Sequence, residues 1–218
     1  MLFRSSTAGN IYGKAGRVYI SADYPGYLRR YVEQEDGHCR AAYFQGALGN
    51  VICVTTMQSV RNKWQPPQET ERIGQRLGEL ALDAMKDMTE VPVGRVQSLR
   101  QEHVAFDRDF VGTTRAMEQD VVTLGTGVAF VTAGYEMFDI NGMDVKNASP
   151  FPVTFICGCS QSHEYMPSWE TFHYELVNGK GKYVAYEARP AQCNVVPGTG
   201  EDLAGSLLAM LNKLHRAG

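Results

Sequence analysis

No uninterrupted apolar run of about 18 residues occurs anywhere in this 218-residue chain, so the sequence offers no transmembrane helix. Charge of one sign is also scarce. Lys plus Arg number 21 against 24 Asp plus Glu, leaving −3. That balance excludes the basic footprint of a nucleic-acid binder and any polybasic membrane patch. Cys-x-x-Cys pairs are absent, which removes zinc ribbons and thioredoxin-like motifs. The cysteines themselves, Cys39, Cys53, Cys157, Cys159 and Cys193, are odd in number and lack framework spacing. They read as buried thiols, with Cys157 and Cys159 on one face of an apolar strand. The amino-terminal segment is too short in its apolar part for a secretory signal, so the expected location is cytoplasmic. Repeats and low-complexity tracts are missing. Gly46-Ala47-Leu48-Gly49-Asn50 lacks the Lys and Ser/Thr of a phosphate loop.

What is present is globular material, 44% hydrophobic, 10% aromatic and 21% charged. Its length fits one domain. Arg17 to Ser21 reads as a short strand. Tyr24, Tyr27, Leu28, Tyr31 and Val32 recur at helical spacing and predict a helix to about Gln34. Residues 39–45 read as a buried strand. Ile73, Leu77, Leu80, Ala81, Ala84 and Met85 form an apolar stripe on a helix that Pro67 can open. Two half-buried strands with a polar turn are expected over 93–110, and a β-rich segment over 121–132 turns at Gly125-Thr126-Gly127. A short helix over 137–147, a break at Ser149-Pro150 and an interior strand over 153–157 follow. Strand, helix, strand in that order predicts a crossover unit, hence an α/β fold of layered mixed sheets flanked by helices in a single domain. Residues 160–170 read as a surface loop and 183–188 as a short strand. The last helix starts at Thr199, with Asp202 completing a capping-box variant, and buries Leu203, Leu207, Met210, Leu211 and Leu214.

Strand-end loops are where such folds place ligands. Three carry polar groups: the stretch around Asp23, the Gly134-Tyr135-Glu136 turn, and the loop holding His163, Glu164 and Tyr165. Taken alone, Glu136 suits either a helix-dipole carboxylate or a metal ligand or general base. His163 suits an acid/base group, a metal ligand or a loop histidine without a role. His173 and Glu175 match no metal spacing with His163. His38 and His103 flank expected turns and should face solvent, and His215 lies at a helix end.

Several segments together resemble the neutral/alkaline non-lysosomal ceramidases, a family of zinc amidohydrolases. Ile20-Ser21-Ala22-Asp23-Tyr24-Pro25-Gly26-Tyr27 resembles the stretch after that family's second zinc histidine. The segment from Ala41 through Gly49, Asn50 and Val51 resembles the strand and loop around its nucleophile. Gly134-Tyr135-Glu136-Met137-Phe138 resembles the segment with the zinc-binding glutamate, and Tyr165-Met166-Pro167 the tyrosine-containing loop. Pro197-Gly198-Thr199-Gly200-Glu201 precedes a similar final helix. These segments keep the family's order across residues 1–218 and correspond to the later half of its catalytic domain.

The resemblance implies Zn as cofactor, Glu136 and Tyr165 as two of its four ligands, and a small-molecule or lipid-like amide substrate. Asp23, Gly49 and Asn50 would line the pocket, with Asn50 and His163 as catalytic candidates and His163 as a substitute nitrogen ligand. Departures from the family pattern are specific. Gly9-Asn10-Ile11 stands where the family has a His-Pro pair, and the other histidine would lie upstream of Met1. Asn50 replaces an aspartate, and Ile52, followed by Cys53, takes the place of the nucleophilic serine. Gly134 and Tyr135 replace Pro and Gly. The expectation is a divergent ceramidase-like hydrolase with an incomplete metal site. The alternative is a non-catalytic binding or assembly protein on the same fold. The hydrolase would either have lost its metal or complete its site with another chain, and the association expected is a homo-oligomer or a missing amino-terminal partner.

Overall fold

The computed structural model describes residues 22–51, 67–108, 112–160, 164–172, 185–189 and 192–218. The expected strand at Arg17 to Ser21, together with Cys53, His163, His173 and Glu175, lies outside them. The chain groups into two compact units, one comprising residues 44–51 and 91–218, the other built around 22–43 and 67–90.

The smaller unit pairs two helices, α1 (Asp23–Glu35) and α2 (Pro67–Met85). Both are expected from periodicity, but the apolar stripe of α2 is only half-buried, at Ile73, Leu77, Ala81 and Met85. Thr70, Gly74 and Gly78 are the buried positions, whereas Leu80 and Ala84 are exposed. A side chain at Gly74 would strike the Tyr24 carbonyl and the Tyr27 side chain, and one at Gly78 would strike the Tyr31 ring. Small residues one turn apart thus let the α1 tyrosines sit directly on the α2 backbone. Residues 39–45 form no strand. Their Ala41 amide donates to Glu33 (3.0 Å) and the Ala41 carbonyl accepts from Arg29 Nε (2.7 Å), so α1 side chains take the place of a ladder partner.

The larger unit holds a mixed four-stranded sheet in the order β1 (Val96–Phe106), β2 (Thr114–Leu124), β3 (Val128–Thr132), β5 (Val153–Cys157). The first three strands run antiparallel, and β5 lies parallel to β3. The connection between β3 and β5 carries β4 (Glu136–Met137) and α3 (Asp139–Ala148), which is the crossover unit read from sequence. Helix α4 (Thr199–Ala217) packs on β1, β2 and α3, while α3 packs on β5. The fold is α/β, mixed sheet and helices in layers.

One 11-residue strand replaces the two expected over 93–110. The polar run Arg100-Gln101-Glu102 resembles a turn in sequence but alternates faces within the strand. Arg100 points outward to Asp120 (2.6 Å), whereas Gln101 points inward and donates to Gln119 (3.0 Å) and Ser206 (2.6 Å). Gln119 is fully buried; Ser206 donates to its carbonyl oxygen, and its amide donates to the Leu203 carbonyl. This polar cluster joins sheet to helix with its bonds made. The same alternation turns Val96, Val104 and Phe106 outward and His103 inward, correcting the expectation that His103 faces solvent.

The α4 core face is as read: Leu203, Leu207, Met210, Leu211 and Leu214 are all buried. Its capping box is not. Gly198 caps the helix at φ +94°, and the Thr199 hydroxyl donates back to the Val196 carbonyl (2.7 Å). Residues 186–188 form a 3₁₀ turn rather than a strand, and Arg108 caps it by donating to Ala188 (2.6 Å). His215 lies edge-on to Phe151 at 5.2 Å, in the last turn of α4.

Burial holds the His103 imidazole below its ordinary pKa, with Asp202 opposing in part. The unfolded chain therefore binds a proton that the folded chain resists as pH falls below about 6.5. Stability present at pH 7.5 should decline toward pH 5.5, and His103→Gln should reduce that decline in urea unfolding curves. An identical pH dependence in both proteins would show that another group sets it.

Candidate functional site

Within the segment 160–170, expected as a surface loop, residues 166–168 turn into the interior. Met166 is fully buried, Ser168 nearly so, and Tyr165–Met166 forms β6 beside β4. The two short strands run parallel, with Glu136 opposite Tyr165 and Met137 opposite Met166. Register partners leave a ladder on the same side, so the carboxylate and the phenol share one face despite their separation in sequence.

Four hydrogen bonds fix this junction. The Glu136 amide donates to the Glu164 carbonyl (2.9 Å) and the Phe138 amide to that of Met166 (3.2 Å), while Leu48 and Gly49 both donate to Met137 (2.9 and 2.8 Å). Glu136 is 1% exposed, with both carboxylate oxygens enclosed. Tyr165 is half-buried, its ring edge-on to Tyr186 at 5.9 Å.

Gly49 and Asn50 lie at the same corner. A side chain on Gly49 would overlap the Glu136 carbonyl and the Phe138 ring, so only glycine lets this loop touch β4. The Asn50 amide grips the start of α3: its nitrogen donates to the Asp139 carboxylate (2.6 Å) and its oxygen accepts from the Asp139 amide (2.9 Å). An asparagine remote in sequence thereby satisfies one of the open amides of that helix. Asp23 belongs to the smaller unit. It opens α1 at φ +54°, accepts from the Tyr24 amide (2.7 Å), and is pushed up in pKa by burial, which that hydrogen bond opposes.

Behind Glu164 stands a charged cluster that sequence reading misses. Arg115 on β2 donates through Nη1 to both Glu164 oxygens (3.1 and 2.9 Å) and through Nε to Asp107 (3.4 Å); Asn194 donates to Glu164 as well (3.4 Å). Tyr135 adjoins them. Burial raises its phenol pKa, the Glu164 charge adds to the rise, and Arg115 opposes it. Burial likewise pushes the Cys193 thiol up. One signal for Arg115 is available: it is in phase with Met117, Gln119 and Val121, so a cation falls on the inward face of β2.

This geometry can be set beside known proteins. No family model and no curated protein matches the sequence. Solved structures do match in three dimensions, ceramidases among them. The neutral ceramidase from Pseudomonas aeruginosa superposes with a TM-score of 0.67 at 13% identity, over 96% of this chain and 43% of that one. A ceramidase complexed with C2 gives 0.66 at 12%, over 93% and 43%. The fold is ceramidase-like. At these identities the likeness establishes architecture, and the chain spans 43% of the length of either neighbour.

A zinc site requires three or four protein ligands, mostly nitrogen or sulfur. Among the described residues no group of three or more His, Cys, Asp or Glu side chains could hold a metal, and Glu136 with Tyr165 offers two oxygen donors. The described residues do not complete a zinc site. Nor, among the described residues, is any helix long and apolar enough to cross a membrane.

Proposed function

We propose that this chain is a divergent ceramidase-like hydrolase acting on an amide or related bond of a small-molecule or lipid-like substrate. The observation that supports it is the pairing of Glu136 with Tyr165 across β4 and β6, within a ceramidase-like fold. A fixed carboxylate and phenol on one face are groups suited to accepting a proton from an attacking water and donating a hydrogen bond to a developing oxyanion. Gly49 and Asn50 brace that pair through Met137 and Asp139. If the pair is inherited from a zinc site, its nitrogen donors come from His163 or from another segment or chain.

The test is elemental analysis of the purified protein alongside an assay of N-acyl amide hydrolysis, with and without added Zn²⁺. Turnover that depends on bound zinc supports the hydrolase reading. Absence of both metal and turnover, in folded protein, overturns it.

A second reading, a non-catalytic assembly subunit, draws on one observation. The sheet face opposite α3 and α4 leaves Phe44, Val104, Phe106 and Phe155 more than two-fifths exposed, with Phe130 stacked on Phe155 at 4.9 Å. A light-scattering mass well above the monomer, without metal, would favour it.

A further inference from the structure

A second feature lies wholly within the smaller unit and is independent of the hydrolase reading. A cleft of about 580 Å³ opens beside α1, lined by Gly26, Arg29, Arg30, Glu33, Gln34 and Arg40. It adjoins a cleft of about 370 Å³, lined in part by Pro25, Ala42 and Tyr43, with Gly26 and Arg29 common to both.

Three arginines thus line one cleft with a single carboxylate, in a chain whose net charge is negative. That carboxylate is committed: Glu33 accepts from the Ala41 amide (3.0 Å) and lies 3.7 Å from Arg29. Arg29 is held by the Ala41 carbonyl through Nε (2.7 Å). Arg30 lies over the Tyr27 ring at 5.5 Å, and Arg40 donates one bond to the Cys39 carbonyl (2.9 Å). Arg30 and Arg40 are each positioned by one contact and Arg29 by two, and all three keep further N–H donors, since guanidinium carries five. Arg30 and Arg40 have no carboxylate partner among the described residues.

The surplus is two positive charges beside an apolar recess. The geometry points to a binding site for a phosphate monoester on a small apolar body: a dianion matches the surplus, and guanidinium forks match phosphate oxygens. The phosphate sits between Arg29, Arg30 and Arg40, and the apolar part lies against Pro25, Ala42 and Tyr43.

Hexyl phosphate titrated calorimetrically into the full chain should bind at one site. The Arg30→Gln/Arg40→Gln double variant should weaken it by about tenfold or more, because two charge-assisted contacts go. Glu33→Gln should tighten it by about threefold, since the repelling charge leaves while the amide oxygen still accepts from Ala41. Both arginines are exposed, and far-UV circular dichroism checks that the fold is retained. Inorganic phosphate should compete more weakly, and hexanol should not bind. Arginine-dependent flotation with phosphatidic acid vesicles would assign the phosphate to a lipid; binding of the soluble ester alone would assign it to a free metabolite. Either result supports the site. Unsaturable hexyl phosphate binding, or equal affinity in the double variant, overturns it.

Discussion

Glu136→Ala should cut amide hydrolysis by at least ~100-fold, the usual scale for removing an acid/base group, and should lower any zinc content of the purified protein. Glu136→Gln should do nearly the same while preserving shape. Glu136 is enclosed, its amide is tied to Glu164, and the residues after it are tied to Leu48, Gly49 and Met166. A glutamine of equal volume keeps those bonds and removes only the charge. A change that spares the urea midpoint and removes turnover therefore reports chemistry. Equal metal and equal rate in wild type and both variants would remove Glu136 from the site.

Gly49→Ala should destabilise the protein by about 3 kcal/mol, toward the upper end for overpacking a tight contact. The added methyl meets a backbone carbonyl, that of Glu136, which has no rotamer to move into. Relief requires the loop to withdraw, stretching the Leu48 and Gly49 hydrogen bonds to Met137. Gly46→Ala is the internal control. A methyl added there meets nothing within 4 Å, so its effect should stay within about 0.5 kcal/mol. Urea midpoints at matched slopes decide the comparison. Similar values for the two variants would mean that the loop does not lean on β4.

Periodicity carries the reading of α1, α3, the β2–β3 hairpin, β5 and the buried face of α4, because in each the hydrophobic spacing and the breakers agree. It fails where side chains do the work of backbone. Residues 39–45 look like a strand, but Arg29 and Glu33 satisfy Ala41 instead. Arg100-Gln101-Glu102 look like a turn, but Asp120, Gln119 and Ser206 absorb them. Strand β6 is two residues long, too short for any periodic signal. Glu136 and Tyr165 stand out together only through family resemblance, and their adjacency is a register fact that spacing along the chain does not encode. Arg115 escapes notice because its partners, Asp107 and Glu164, are strangers to it in sequence.

Glu164 faces two ways: its carbonyl accepts from the Glu136 amide, and its carboxylate accepts from Arg115 Nη1. A disturbance on the second strand of the main sheet consequently has a mechanical route to the carboxylate, through one peptide unit. Mutational sensitivity around this junction will follow that linkage rather than plain proximity, and neutral-looking changes on the β2 inner face will register at the Glu136 strand.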